Sequence, residues 1–159
     1  MNYIKQLIFI TLFSVCCCIN VAYGNSIAFN KEQLTKVKVE NKGKQWLMLL
    51  WSVDCPPCFK ELAIIQKLKN KYDDLPVVII NTDADDESVE ERKAVINKFE
   101  LNHLTNLHFV DGKADQSRFL IDPQWYGELP RSYFIEKNGQ FHGKSGLVNK
   151  VILTQWLLP

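Results

Sequence analysis

The stretch that decides the fold is WSVDCPPCFKE, residues 51–61, in which Cys55 and Cys58 flank two prolines. A continuous apolar run over residues 45–51 leads into it, and a run of this length predicts a strand that is buried on both faces. Apolar residues then recur at helical spacing, which predicts a helix over residues 56–72. The cysteine pair therefore stands where a central strand passes into a helix.

The rest of the chain alternates in the same way. Buried strands are predicted over residues 75–81 and 106–110, and an Asn-Gly dipeptide at 138–139 indicates a late hairpin. The acidic stretch 82–91 is interpreted as the solvated start of a helix rather than as a metal site. Short helices are expected over residues 31–39, 116–121 and 147–158, and the two arms of the hairpin over 130–136 and 140–144. This order predicts an α/β protein with a central mixed sheet and helices on both faces.

Residues 1–24 have the build of a secretory signal peptide. Lys5 gives a short positive region, an apolar run follows, and small residues precede an expected cleavage after Gly24. One domain over residues 25–159 then remains, which suits its length. The signal predicts export to the periplasm or an equivalent compartment. Anchoring in the membrane by an uncleaved N-terminus is the alternative, since a span needs about 20 apolar residues and this run is marginal.

Loss of that segment changes the cysteine count. Residues 16–18 carry three of the five cysteines, so the exported domain keeps only Cys55 and Cys58. One pair excludes a disulfide framework, and a zinc site usually needs a second pair or nearby histidines. The three histidines are scattered, so no metal is expected. Lys5 is the one charged residue removed, which leaves 18 basic and 18 acidic residues and no charge pattern for binding nucleic acid.

The two cysteines are expected to have different roles. A helix N-terminus carries partial positive charge and unpaired N–H groups, which favour a thiolate at Cys55. We expect Cys55 to be the exposed nucleophile and Cys58, one turn further, to be the shielded cysteine that resolves the mixed disulfide. Pro56 and Pro57 remove two N–H donors, and Asp54 adds a negative charge beside Cys55. Both effects disfavour the thiolate, and they predict a reductant rather than a strong oxidant.

Glu61 is the candidate proton acceptor. It follows Cys58 by three residues on the same helix and continues into an apolar row, so desolvation is expected to raise its pKa. A carboxylate there could take the proton of Cys58 as that cysteine attacks. The alternative is a solvated glutamate that pairs with Lys60 or Lys67.

These residues resemble a known family. The stretch 51–58, after a buried strand, resembles the thioredoxin active site, and residues 126–139 (YGELPRSYFIEKNG) resemble its segment with a cis-proline before a hairpin. A helix from about residue 85 to 101, and FVDG at 109–112, look like the insertion of the TlpA/ResA branch. Glu61 matches the glutamate that this branch carries after its CxxC motif.

The resemblance implies a thioredoxin-like fold and a site for protein substrates. It implies that the Leu129-Pro130 bond is cis, lies beside the cysteines and leaves the Leu129 backbone free to pair with an extended substrate chain. The residues expected to contact the substrate are Trp51, Asp54, Pro56, Pro57, Leu129, Pro130 and Arg131.

Three positions depart from the family pattern. Asp54 replaces a residue that is usually aromatic, and Arg131 replaces a small hydroxyl residue and could offset Asp54 or contact an acidic partner. Leu49 stands where many thioredoxins carry a buried acid, which leaves Glu61 as the expected proton acceptor.

The sequence thus predicts an exported thiol:disulfide oxidoreductase that needs no cofactor and acts on proteins, foremost as a periplasmic reductase. The resemblance implies a membrane thiol carrier as electron donor and an oxidised protein as client, for example an apocytochrome c. A disulfide oxidase or isomerase on the same fold is one alternative. A copper-binding metallochaperone is another, although such proteins generally space their cysteines by three residues and add a histidine.

Overall fold

The computed structural model of the protein describes residues 26–72 and 74–158. The predicted signal peptide, residues 1–24, lies outside these described residues. None of the helices within the two ranges combines the length and the hydrophobicity that crossing a membrane requires.

Six strands and five helices follow one another in the described chain. The strands are β1 (Ile27–Ala28), β2 (Trp46–Trp51), β3 (Val77–Asn81), β4 (Thr105–His108), β5 (Arg131–Ile135) and β6 (Phe141–Ser145). The helices are α1 (Lys31–Glu40), α2 (Pro56–Lys69), α3 (Val89–Lys98), α4 (Ala114–Ile121) and α5 (Lys150–Leu157). All the predicted strands and helices are present, with ends that differ by a few residues. The prediction missed β1, because two residues are too few to show a periodic pattern.

The strands form one mixed sheet in the order β1-β4-β3-β2-β5-β6. The first four strands in this order run parallel, whereas β5 is antiparallel to β2 and β6 is antiparallel to β5. Leu49 in β2 pairs with Ile79 on one side and with Ser132 on the other. β2 is therefore a central strand, and its carboxyl end delivers the cysteine motif to one edge of the sheet.

Both faces of β2 are buried under helices. One face carries Leu47, Leu49 and Trp51, which belong to a core cluster with residues from α2, α3 and α5. The other face belongs to a cluster with residues from α1 and α4. The predicted arrangement, a mixed sheet with helices on both faces, is confirmed. It explains why the strand is apolar throughout rather than alternating.

The interpretation of the acidic stretch 82–91 as a helix start is confirmed only for its last residues, since Glu90 and Glu91 lie in the first turn of the helix. The helix α3 begins only at Val89, and the preceding aspartates shape a loop instead. The Asp83 carboxylate accepts from the backbone N–H of Val53 at 2.9 Å, and that of Asp85 accepts from the N–H three residues further along at 2.7 Å. Short acidic side chains satisfy backbone donors outside helices, which explains why the helix begins only after them. No group of metal-ligating side chains occurs within the described ranges.

Ile65 tests the packing of α2 on the sheet, since it is fully buried in the first core cluster. We expect Ile65→Ala to lower the free energy of unfolding by about 2–5 kcal/mol, because apolar contacts are lost and a cavity is left. The matched control is Val151→Ala on α5, where the side chain is 62% exposed and the change should stay within about 0.5 kcal/mol. Urea denaturation of both disulfide-bonded variants measures the difference. Equal losses would contradict the described packing.

Candidate active site

The turn between β2 and α2 is held by its own hydrogen bonds. The Cys55 N–H donates to the carbonyl of Ser52 at 3.2 Å, and the Ser52 hydroxyl accepts from the N–H of Asp54 at 3.1 Å. The Val53 N–H is fixed from outside the turn by the Asp83 carboxylate. These contacts place Cys55 as the N-cap residue of α2, at the predicted junction of strand and helix.

Cys55 and Cys58 are joined by a disulfide in this structure. Their Cα atoms are 5.3 Å apart, a separation that is ordinary for disulfides. The first turn of a helix brings two cysteines at this spacing together without help from any distant part of the chain. The pair is therefore close enough to alternate between dithiol and disulfide.

The two cysteines are both more buried than expected. Cys55 retains 6% of its accessible surface and Cys58 retains none. The prediction of an open Cys55 is thus corrected: half-buried Val53 and Leu129 pack against the cluster that contains both cysteines. The order of exposure is nevertheless the expected one, so a partner molecule would reach the disulfide from the side of Cys55.

The sulfur of Cys55 receives one backbone hydrogen bond from its helix. The Cys58 N–H donates to it at 3.2 Å and also to the Cys55 carbonyl at 2.9 Å. Pro56 and Pro57 occupy the first two helical positions and have no N–H to offer. The side chain of Asp54 is exposed beside them. The helix end therefore presents fewer donors to this sulfur than a helix without prolines would.

Glu61 lies in the interior, with no exposed surface. Its carboxylate accepts from the hydroxyl of Ser132 at 3.2 Å and from the backbone N–H of Val148. It makes no ion pair with Lys60 or Lys67 in the described structure, so the interpretation as a solvated glutamate is wrong. A carboxylate in this position is held by β5 and by the segment before α5, both distant in sequence.

Burial sets the proton affinity of Glu61. It raises the pKa above the ordinary value of 4.5, because the charged form loses its hydration. The Val148 N–H, the Ser132 hydroxyl and the charge of Lys144 oppose this shift without cancelling it. The predicted direction of the shift is confirmed, and the group can accept a proton closer to neutral pH than an ordinary glutamate.

The Leu129-Pro130 peptide bond is cis, as the resemblance implied. Arg131, the next residue, pairs with Leu50, so the cis peptide lies at the end of β2 from which the cysteine motif departs. The Pro130 carbonyl accepts from Gly146 at 2.9 Å, whereas the Leu129 backbone makes no hydrogen bond within the described ranges. Leu129 is half-buried against both core clusters.

Arg131 does not offset Asp54. Its guanidinium pairs with Asp122 at 3.0 Å, donates to the hydroxyl of Ser145 at 2.9 Å and lies over the ring of Tyr133. Asp122 also accepts from the Tyr133 hydroxyl at 3.1 Å. Because Asp122 begins the loop that ends at the cis peptide, these contacts tie that loop to β5 and β6.

Trp51 is also placed differently from the expectation. Its side chain is 1% exposed and belongs to the core cluster beneath the motif, so it supports the turn instead of offering surface to a substrate. Asp54, Pro56 and Pro57 are exposed, as a contact surface requires. These three exposed residues, together with half-buried Val53 and Leu129, leave accessible surface near the disulfide.

Two partners of Glu61 were missed by sequence reasoning. Ser132 carries a weak signal, because it is a small polar residue within the otherwise apolar segment 132–135. Val148 contributes only its backbone N–H, which any residue other than proline would supply. Such a contact leaves no trace in the sequence.

Comparison with known proteins gives a family match. The model of the family described as Redoxin matches residues 25–140. The thiol-disulfide oxidoreductase ResA of Bacillus thuringiensis is 30% identical over 99 residues, which cover 62% of this chain and 53% of that protein. The thiol:disulfide interchange protein DsbE of Haemophilus influenzae is 30% identical over 119 residues, or 74% of this chain and 60% of that protein. The chain thus spans little more than half the length of these relatives.

A solved structure supports the fold. A secreted disulfide oxidoreductase of Mycobacterium tuberculosis, described as homologous to E. coli DsbE, superposes with a TM-score of 0.56 at 20% identity. The match covers 75% of this chain and 84% of that one. The predicted thioredoxin-like fold is confirmed.

Glu61→Gln should make the stability of the protein less dependent on pH. The raised pKa means that the folded protein binds a proton that the unfolded chain releases near 4.5, so wild-type stability falls as the pH rises from there through the raised pKa. Glutamine has no charge to desolvate, and its amide can still bond to Ser132 and Val148. We therefore expect the stability of the variant, relative to wild type, to increase with pH across this window.

Urea denaturation of the oxidised protein at several pH values between about 4 and about 8 measures this difference. Glu87→Gln is the control, because Glu87 is exposed and should not reproduce the trend. A difference between Glu61→Gln and wild type that is constant with pH would show that the carboxylate is not desolvated.

Proposed function

The chain belongs to the Redoxin family, and from this we propose that it is a thiol:disulfide oxidoreductase that exchanges its Cys55–Cys58 pair with cysteines of protein substrates. The observation that carries the proposal is the disulfide at the N-terminus of α2, in which Cys55 keeps a small accessible surface and Cys58 keeps none. Relatives of this chain are named for the same chemistry. The chain covers only part of their length, so the geometry of the site is the main support for the activity.

The first step is attack by Cys55. In the reduced protein, the Cys55 thiolate attacks one sulfur of a client disulfide and forms a mixed disulfide, while the other client sulfur leaves as a thiolate. Cys55 suits this role because its residual surface makes it the accessible one of the two. The partial positive charge at the start of α2 and the Cys58 N–H favour its thiolate.

The second step is resolution by Cys58. Glu61 takes the proton from the Cys58 thiol, and the new thiolate attacks the Cys55 sulfur. The Cys55–Cys58 disulfide forms, and the second client sulfur leaves as a thiolate that takes up a proton. Two electrons pass from the dithiol of this protein to the client. The buried position of Glu61 supports the role, since its raised pKa lets it hold the proton between these events.

The client chain is proposed to lie along the cis peptide. The free backbone N–H and C=O of Leu129 can pair with an extended segment, in the manner of strand addition. Exposed Asp54, Pro56 and Pro57 border the same side of the disulfide. Backbone pairing is independent of the client's side chains, so it suits a protein that acts on cysteines in different sequences.

Electron flow is proposed to run towards the client, as in a reductase. The prolines and Asp54 give the Cys55 thiolate little stabilisation, so the reduced form gives up its electrons readily. The sequence of residues 1–24 supports export to the periplasm, with a retained N-terminal anchor as the alternative. A thiol carrier in the membrane is the proposed donor that restores the dithiol, because an oxidising compartment supplies no soluble one.

Cys58→Ser should trap clients on Cys55. Without the resolving thiol the mixed disulfide persists, so purification from the native host under non-reducing conditions should recover proteins that dithiothreitol releases. Cys55→Ser is the matched control and should recover far fewer, since Cys58 has no exposed surface. Mass spectrometry identifies the released proteins. Equal recovery from both variants, or none from either, would contradict the exchange function.

Pro57→Ala should make the pair more oxidising. The substitution restores an N–H at the second helical position, from which N-cap side chains accept, so it should stabilise the Cys55 thiolate and the reduced form. We expect the wild-type potential to lie nearer to about −270 mV, as in thioredoxin, than to about −120 mV, as in a strong oxidase. The variant should be less negative by about 30 mV.

Equilibration with glutathione or dithiothreitol buffers measures both potentials. Pro56→Ala is the control, because the N–H at the first helical position points less directly at the cap sulfur and should change the potential less. A wild-type value near that of the strong oxidase would instead favour the alternative function of disulfide oxidase. Tight copper binding by the reduced protein would favour a metallochaperone.

A further inference from the structure

The side chains of Ser132 in β5 and Glu61 in α2 are hydrogen-bonded where the helix packs on the sheet. Ser132 is fully buried, and its hydroxyl lies 3.2 Å from Oε2 of Glu61. Its pairing partner in β2 is the apolar residue Leu49, so the hydroxyl of Ser132 finds its polar partner on α2.

The two donors to Glu61 differ in what they can do. The backbone N–H of Val148 can only donate, so it favours the carboxylate. The hydroxyl of Ser132 can rotate, so it donates to a carboxylate and accepts from a carboxylic acid. Ser132 can therefore hydrogen-bond Oε2 whether or not that oxygen carries a proton, whereas a backbone N–H cannot accept a hydrogen bond from the carboxylic acid. A group that gains and loses a proton in every catalytic cycle needs such a partner.

We propose that Ser132 is a positioning residue for proton transfer through Glu61, which deepens the exchange function proposed above and rests on it. Its hydroxyl fixes Oε2 and donates to the carboxylate before the Cys58 proton arrives. It accepts from the carboxylic acid afterwards, until that proton leaves for the client thiolate or for solvent. The sulfur chemistry is unchanged, and Ser132 itself neither gains nor loses a proton.

Few other charges face Glu61. Lys144 lies opposite Ser132 in the neighbouring strand β6, and its positive charge lowers the pKa of Glu61. This lysine is exposed, so salt screens its charge. Cys58 precedes Glu61 by three residues on α2, a spacing that places side chains on the same helix face, and the segment before α5 contributes the Val148 N–H. Arg131 is directed to the opposite face of β5, where it pairs with Asp122. Removal of the Ser132 hydroxyl should therefore act on Glu61 without rearranging a wider charge network.

The first test measures Glu61 directly. In oxidised protein with ¹³C-labelled glutamate, the Cδ shift of Glu61 is followed by NMR against pH. We expect Ser132→Ala to raise the midpoint by about one pH unit, because the carboxylate loses a donor. Ser132→Thr keeps the hydroxyl and should restore the wild-type midpoint. The control Ser117→Ala removes another buried serine, which lies in α4 away from Glu61, and should change nothing.

The second test measures the reaction. The rate at which the reduced protein reduces insulin disulfides is followed against pH. The rising limb that belongs to Glu61 should move up by about one pH unit in Ser132→Ala, and it should stay in place in Ser132→Thr and Ser117→Ala. A serine with only a structural role would lower the rate at every pH and leave the midpoint unchanged, and that result would overturn the proposal.

The two tests distinguish a failure of the exchange function from a failure of the proposed role of Ser132. If the wild-type protein reduces no insulin at any pH, the exchange function fails, and the proposal falls with it although the NMR shift is seen. If insulin is reduced but the Glu61 midpoint is the same in Ser132→Ala and in wild type, the inference about Ser132 alone fails. Should Ser132→Ala not fold, the Cβ shift of Ser132 in the wild-type protein must titrate with the midpoint of Glu61. Independence of the two shifts would equally overturn the inference.

Discussion

The rest of the site depends on one constraint, the sulfur of Cys55 at the N-cap of α2. An N-cap side chain can accept from the first N–H groups of its helix, and here the Cys58 N–H is the donor that Pro56 and Pro57 leave available. The same geometry brings the two cysteines within bonding distance and leaves Cys55 as the outer one. Capping, disulfide formation and the division of roles between the cysteines thus follow from one local arrangement at the end of β2.

The carboxyl group of Glu61 is buried in the core, on the helix that Cys55 caps. An unpaired buried carboxylate costs several kcal/mol, so Glu61 is tolerable only with partners, and the fold supplies a hydroxyl from β5 and an N–H from the segment before α5. Those partners keep it in place without neutralising it. The result is an acid of raised pKa inside the protein, close in sequence and on the same helix as the cysteine whose proton it is proposed to take.

Local features of the sequence were the reliable ones. The apolar run of β2, the helical spacing of α2 and the Asn-Gly turn between β5 and β6 each reflect interactions among near neighbours, and each was predicted. The cis peptide at Leu129-Pro130 was expected from resemblance alone, and the similarity to ResA and DsbE confirms the group of relatives that was expected. The errors concern side chains with distant partners. Arg131 was expected either to offset Asp54 or to contact an acidic partner molecule, but Asp122 pairs with it across a loop that no local pattern describes.

The sequence by itself determined the fold class, the position of the cysteine pair and the acid that follows it, because strand burial, helix period and capping are encoded over a few adjacent residues. Only the tertiary structure decided how open the pair is and what holds the acid. Trp51 and Cys55 are covered by residues from several elements, and Glu61 bonds to residues 71 and 87 positions away in the chain. Burial and long-range hydrogen bonds are properties of packed surfaces, and they exist only after the sheet and its helices have come together.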